Sequence, residues 1–508
     1  MATKLSFGKI ELDVSPGGVK TARRRDPDAP FVLAVLGDFS GRGNRGVVEP
    51  INQRRVWKVD CDNFEQVVAK LGARLGFALA EGPTGAVELK FDSFEDLHPD
   101  RLLRMVAPLA ALSEARKRLL DPAASADAAR ELQALLSAPA SATEARAPSP
   151  ASAESNEDTL ARLLGRPAPP TATKQPQSDA VVDRLIRNIV APSIVPGASS
   201  QQKALLSAAD LELSRRLRMM LHHADFQALE ANWRGLDMLV RHFGGEENLQ
   251  IRVADISRQE IEADLMAAES LGATGLGKLI QQQMDEQPWS AWVGLYTFDA
   301  RVDDLELLGR VTKLAAGVGA PFLAAAAPRL AGCDSFASHP DSSDWNLPLG
   351  TDAAAAWQAL RELPESAYAA LALPRFLLRQ PYGRQSDPIA SLEFEELPAD
   401  IPHENYLWGN PAVLCGYRLA EAFRAEGWEM RPGGFGEIDE LPLHKFKADD
   451  EMTVKPCAEA WLSQRAGDAL SDKGLVPVLS IKGRDAVRVG PLRSLRTPAA
   501  ALAGYWAT

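Results

Sequence analysis

The run Gly41-Arg42-Gly43-Asn44-Arg45-Gly46 has the Gly-x-Gly-x-x-Gly spacing with which backbone amides cradle a pyrophosphate, and it follows an apolar, strand-like run. In a dinucleotide site the third glycine lies inside a helix whose N-terminus holds the phosphate. Here Val47-Val48-Glu49-Pro50-Ile51-Asn52 follows instead, with a proline and then a further strand, so the run reads as a mobile glycine loop rather than a cofactor cradle. His222 and His223 are adjacent, which points their side chains about 100° apart on a helix and misses the i, i+4 geometry of two metal ligands. Hydrogen bonding at a helix end is the better use for them. The four cysteines, Cys61, Cys333, Cys415 and Cys457, show no zinc or redox spacing and suit a reducing compartment. No Gly-x-Ser-x-Gly elbow or Walker lysine is present, and Glu395-Glu396 and Asp449-Asp450-Glu451 read as solvated surface. The expectation is a protein with no catalytic residue, no cofactor and no metal.

The chain has 508 residues, enough for about three folded units. A formal charge of -12 argues against wrapping a nucleic acid, which needs clustered Lys and Arg to displace counterions. The N-terminal residues lack the apolar core of a signal peptide, and no stretch offers about 18 uncharged apolar residues. A cytoplasmic protein with no direct membrane insertion is therefore expected. Residues 1–121 read as a mixed α/β domain with strands at 5–14, 31–36, 54–60 and 87–91. A helix starts near Asn63, with Phe64, Val68, Leu71 and Leu75 on one face, and Pro99 opens another through Leu102, Val106, Leu109 and Leu112. Residues 122–178 are rich in Ala, Pro and Ser and read as a flexible linker, whose roughly 50 residues would reach about 40 Å. Inside it, 159–165 is either a transient helical turn or a docking peptide.

Residues 179–492 read as a second domain and 493–508 as a tail. A long helical segment is expected over 203–243, with Phe226, Leu229, Trp233, Leu236 and Val240 in one apolar stripe and Trp233 as a packing anchor. A strand at 249–256 and a helix at 259–286 follow. Strands at 291–298 and 322–326 around a helix at 303–319 form a βαβ unit, which implies a parallel sheet covered on both faces. Further helices are expected at 352–362, 411–425 and 457–470, the second capped by Asn410 with Pro411 in its first turn. Short strands at 476–481 and 486–489 follow.

The run from His222 to Leu236 resembles the signature helix of the large sheath subunit of bacterial type VI secretion systems, TssC. Leu373 to Gly383, Leu407 to Pro411, and Val454-Lys455-Pro456 extend that resemblance over about 180–492. Gly37-Asp38-Phe39-Ser40-Gly41-Arg42, Asp60 to Phe64, and Phe91 to Pro99 resemble the small subunit, TssB, over about 5–120. The chain thus looks like a fusion of both.

The resemblance implies an α/β fold of mixed and parallel sheets flanked by helices, as in contractile tail sheaths, and a structural, non-enzymatic role. It implies a helical homopolymer around an Hcp-like inner tube, attached to baseplate components, that contracts to propel the tube with its effectors. Terminal strands would be exchanged between copies, through Leu5, Ile10 and Leu12 and through Val476, Val478, Ile481, Val487 and Val489. Proline at Val478 or Val487 is accordingly expected to abolish tubes while sparing the monomer. Phe226, Leu229, Trp233, Leu236, Arg375, Trp408, Asn410 and Pro411 would be signature packing residues. Recycling by an AAA+ ATPase would use a helix containing either Leu160, Leu163 and Leu164 or Leu185, Ile186 and Ile189. A sheath-fold adaptor that regulates assembly and a nucleotide-dependent α/β enzyme are the alternatives.

Overall fold

Phe31–Gly37 is an unbroken apolar heptad, and such a strand needs neighbours on both edges and cover on both faces. In the computed structural model, which describes residues 7–8, 26–78, 86–121, 124–137, 198–397, 402–448 and 451–506, it is strand β1 and every residue of it is buried. Its neighbours come from the other half of the chain. β5 (Leu249–Asp255) pairs with it in parallel from Phe31↔Leu249 to Gly37↔Asp255, and β6 (Ala291–Phe298) lies parallel on its other side. Outward from β6 the parallel ladder continues through β7 (Phe322–Ala326), β8 (Ala369–Leu373) and β14 (Val476–Ser480). Antiparallel strands close both ends, β2 (Val56–Val59) beside β5, then β15 (Val487–Val489) and β11 (Gly436–Ile438) beyond β14. The result is a nine-stranded sheet. Two-stranded sheets join β3 (Ala73–Ala78) to β4 (Ala86–Phe91), β9 (Phe376–Leu377) to β10 (Trp408–Gly409), and β12 (His444–Ala448) to β13 (Glu451–Lys455).

Contacts divide the chain into two units, one of residues 1–76, 88–101 and 220–508, the other of 77–87 and 102–219. The first holds the nine-stranded sheet, so residues read from sequence as a separate N-terminal domain supply β1 and β2 to a sheet otherwise built from residues beyond 248. On one face Val32, Ala34 and Leu36 join a core with helices α7 (Arg258–Met266), α8 (Gly275–Glu286), α9 (Val302–Val318) and α10 (Thr351–Glu362). The opposite face takes α6 (Ala224–Phe243) and α11 (Ala412–Glu426). Gly416 of α11 lies so close to the sheet that a Cβ there would come within 2.6 Å of Val293. The other unit contains α3 (Ala107–Leu119), α4 (Ser125–Ser137) and most of α5 (Ala198–Leu221), which bury Leu109, Leu112, Leu132, Leu213 and Leu217 and pair Arg116 with Asp210. Helix α4 occupies part of the expected linker. Its Ala128 and Leu132 recur at i, i+4 and give it an apolar face to bury. Helices α1 (Phe64–Leu71), α2 (Pro99–Met105) and α12 (Gln464–Asp472) complete the described set.

Several expected elements end earlier than periodicity suggested. Gly72, at φ 54°, terminates α1, so Leu75 lies on β3 rather than on that helix face. The long helix over 203–243 is broken at His222-His223, where His223 Nδ1 accepts the Asp225 amide 3.3 Å away and starts α6. The helix expected from 259 to 286 is two. Asp264, in the first, accepts the amides of Gly275 and Leu276 at the start of the second, at 2.7 and 2.8 Å. Helix α12 starts after its cap Ser463, because residues 457–459 run extended against Arg375 and Phe376.

Val476, Val478, Val487 and Val489 are fully buried within the nine-stranded sheet, each strand paired on both edges inside the chain. The expectation that proline there spares the monomer is therefore corrected: it would remove a ladder from the core sheet. Ile481 follows β14, and its amide donates to Ala486 O at 3.0 Å. Leu5, Ile10, Leu12, Leu160, Leu163, Leu164, Leu185, Ile186 and Ile189 lie outside the described residues. The segment after 492, read as a tail, is anchored. Leu495 and Ala503 amides donate to Ala369 O and Ala367 O at 2.9 and 2.8 Å, and Leu495 and Leu502 are buried. Among the described residues no helix is long and apolar enough to cross a membrane.

Candidate functional site

Helix α6 puts Asn232 and Trp233 over the end of β1. Asn232 Nδ2 donates to Asp38 O and Trp233 Nε1 to Phe39 O, both at 2.9 Å. The Trp233 ring meets Phe39 and Phe64 edge-on, with centroids 5.1 and 5.8 Å away. Phe226 packs on Phe91 at 6.1 Å, and Phe226, Leu229 and Leu236 are buried. The stripe read from the large-subunit-like segment therefore grips aromatic residues of the small-subunit-like one.

One turn along the same helix the fully buried Glu230 is an acceptor for Arg234 Nε at 2.7 Å and Arg379 Nε at 2.8 Å. Arg379 is buried as well. It holds Glu396 by two hydrogen bonds of 2.7 and 3.0 Å, and its guanidinium stacks over the Tyr382 ring at 4.3 Å. Glu396 also accepts the Tyr382 amide at 2.8 Å, and His222 Nε2 stands 3.6 Å away. Burial alone would raise both carboxyls. The charges of Arg379 and Arg234 overcome it at Glu230, and Arg379 together with hydrogen bonding holds Glu396 at about 2. Burial pushes the Tyr382 hydroxyl up to about 12. Sequence reading missed this quartet and placed Glu396 on the surface. An Arg inside the apolar run Phe376-Leu377-Leu378-Arg379 was the available signal, since a buried guanidinium demands carboxylates.

A second cluster surrounds Arg375, which clamps Glu404 through both terminal nitrogens at 2.9 and 3.0 Å and also pairs with Glu459. Despite the burial that opposes ionisation, hydrogen bonds from His403 and Arg375 hold Glu459 at about 2. Lys455 Nζ reaches His403 Nδ1 at 2.7 Å and lies 5.4 Å above the rings of Tyr406 and Trp408. His403, Glu404 and Glu459 come within metal-ligand reach of one another, but Arg375 and Lys455 already engage them. Asn410 is a double tether: its Oδ1 accepts the Ala412 amide at 3.0 Å at the start of α11, and its Nδ2 donates to Tyr296 O at 3.1 Å. Pro411 is the residue from which α11 departs. A Cβ on Gly409 would press within 2.7 Å of Phe376, so the backbone approaches that ring as only glycine allows.

The glycine loop lies where β1 and β5 end. Its donors are taken: Asp38 accepts the amides of Arg42 and Gly43 at 2.8 and 2.7 Å, and Asp255 accepts those of Phe39 and Ser40 at 2.8 and 3.1 Å. The two carboxylates hold these amides, so a phosphate there would have to displace a negative charge already in place. Asn44 ties the loop to Asp225 and Gly76, so it is pinned rather than free. The buried Glu260 of α7 closes the junction, accepting Arg42 Nε at 3.1 Å and the Glu49 amide at 3.2 Å and pairing with Arg54. The Glu260 and Asp255 contacts, with those of Asn232 and Trp233, fasten the two segments together, whereas the Arg379 and Arg375 clusters neutralise buried charge within the large-subunit-like segment.

The mixed nine-stranded sheet with helices on both faces places the chain in the α/β class. Residues 203–495 match the VipB family model, the EvpB tail sheath N-terminal domain, and residues 9–148 match the type VI secretion VipA model. The chain belongs to the VipB tail-sheath family and carries a VipA-type segment fused ahead of it. It is 34% identical over 309 residues to the type VI secretion system sheath protein TssC1 of Pseudomonas aeruginosa, covering 58% of this chain and 62% of that protein. Against the sheath protein TssB1 of the same organism it is 29% identical over 118 residues, covering 22% of this chain and 64% of that protein.

Proposed function

We propose that the chain is a sheath subunit in which a VipA-type and a VipB-type segment share one polypeptide, and that it polymerises into a helical tube around an inner-tube protein and contracts to drive that tube outward. The observation that carries this reading is the position of β1: a strand of the VipA-type segment lies inside the VipB-type sheet, between β5 and β6. Fusion enforces one-to-one stoichiometry and raises the local concentration of each partner for the other. The protein acts in the cytoplasm, without a cofactor, with an Hcp-like tube and baseplate components as partners.

Linkage between copies runs through residues 5–14. Of this segment Phe7 and Gly8 are described: the Phe7 ring lies where a Cβ of Gly309 would sit, and Lys313 Nζ donates to Gly8 O at 2.9 Å, a seat that the segment of a neighbouring copy would take in an exchanged assembly. The β12–β13 hairpin, paired only with itself among the described residues, offers free strand edges for such a segment. An ATPase of the AAA+ class grips 159–165 or 183–190 after contraction. Ultracentrifugation of the purified chain tests the reading: a species of very high mass that pellets supports it, and a monomer at every concentration and salt tried counts against it.

A further inference from the structure

Among the described residues the β12–β13 hairpin pairs with no other strand, and side chains fasten its base. His444 opens β12, Lys455 closes β13, and the two stand opposite each other in register. One turn holds both. Lys455 Nζ is 2.7 Å from His403 Nδ1, and Tyr406 Oη is 2.9 Å from His444 Nδ1. An ammonium has three hydrogens and no lone pair, so His403 Nδ1 is the acceptor and the neutral ring carries its proton on Nε2. From there it donates to Glu459, 3.1 Å away, while the ring lies against Trp408 with centroids 4.9 Å apart.

The other ionisable groups around this ring keep their charge through mildly acid pH. Hydrogen bonding from Arg375 lowers Glu404, and Glu459 is held at about 2, so both stay carboxylates. Burial raises the Tyr406 hydroxyl, which stays protonated, and lowers Lys455 while Glu459 pulls it the other way. Burial also lowers His444, which keeps it neutral further into acid than an ordinary histidine. Histidine is the side chain that gains its proton between about pH 8 and pH 5. A second proton on His403 removes the lone pair that holds Lys455 and sets two cations against each other. Glu459 and Glu404 keep the imidazolium in place, so Lys455 is the partner that leaves, and the end of β13 goes with it.

We propose that His403 is a proton-operated clasp on the β12–β13 hairpin, closed when the ring is neutral and open when it is charged. The consequence for assembly rests on the sheath reading above, in which the edges of this hairpin receive the segment exchanged between copies.

The test is hydrogen exchange of the full chain read by mass spectrometry at pH 8 and pH 6, with labelling times scaled to the intrinsic exchange rate at each pH. Peptides covering 441–456 are expected to exchange about fivefold faster at pH 6, as the loss of about one hydrogen bond allows, while β14 keeps its protection. His403→Gln supplies an amide that accepts from Lys455 and donates to Glu459 but takes up no proton, so its hairpin should be protected equally at both pH values. Lys455→Met should leave the hairpin equally exposed at both. Equal protection of the parent at both pH values, or a pH response that survives in His403→Gln and disappears in His444→Gln, overturns the clasp. Pelleting of the parent should fall from pH 8 to pH 6 and that of His403→Gln should not; an opened hairpin with unchanged pelleting overturns the consequence for assembly. A chain that pellets at neither pH counts against the sheath reading, and the exchange result still decides the clasp.

Discussion

Replacing Arg379 by Leu leaves Glu230 and Glu396 buried opposite a hydrocarbon, with Arg234 as the remaining guanidinium at Glu230. Breaking a buried ion pair from one side costs about 3–5 kcal/mol. The carboxyl shift gives an independent figure: lowering Glu396 from 4.5 to about 2 corresponds to about 3 kcal/mol. Because that carboxyl is depressed in the folded protein, its contribution is complete above about pH 4.5 and is lost as pH falls through about 2. In Arg379→Leu the sign inverts. Burial without a guanidinium raises Glu396, the folded state then binds more protons than the unfolded, and stability increases as pH falls from 7 toward 5. Urea unfolding at pH 7 and pH 5 reads both effects. A loss of about 3–5 kcal/mol at pH 7 that partly recovers at pH 5 is expected. A variant within about 1 kcal/mol of the parent, or one whose stability declines with pH as the parent's does, would refute the reasoning.

Trp233→Phe keeps the aromatic packing but loses the donor to Phe39 O, and should cost about 1 kcal/mol in urea melts, with no measurable change contradicting the role of that bond. Gly416→Ala drives a Cβ to 2.6 Å from Val293, so α11 must shift from the sheet at about 1–3 kcal/mol; an unchanged melting temperature would mean the helix already has slack. Val487→Pro breaks a strand paired on both sides and should leave the chain insoluble or unfolded by circular dichroism, whereas a folded, soluble monomer that forms no tubes would return β15 to a role in strand exchange. Residues 26–121 and 198–506 expressed separately should each be insoluble and become soluble together, since β1 and its neighbours β5 and β6 come from opposite sides of that cut; either piece folding alone would undo the shared-sheet account.

Local chemistry was legible and distant pairing was not. The apolar run of β1, the α6 stripe, the βαβ unit and the Asn410 cap all follow from spacing within a few residues. That β1 pairs with strands more than 200 residues away does not, because a continuous apolar strand states only that it is buried, not beside what. The Glu230–Arg379–Glu396 cluster is hidden for the same reason. Its members lie 149 and 17 residues apart, and a carboxylate next to another carboxylate reads as surface until the guanidinium that buries it is found. The break at His222-His223 escaped because apolar periodicity runs through it, and the start of α12 because residues 457–459 answer to a strand partner at 375–376. Residues 495–506 carry few periodic signals, and backbone bonds to 361, 367 and 369 order them.

Electron microscopy of tubes assembled from this chain alone, with no separate VipA- or VipB-type protein present, tests the central claim most directly. The account predicts hollow helical tubes whose repeating unit is one copy of the chain. Particles that stay monomeric when the inner-tube protein is supplied, or tubes that appear only after a separate VipA-type subunit is added, would contradict it.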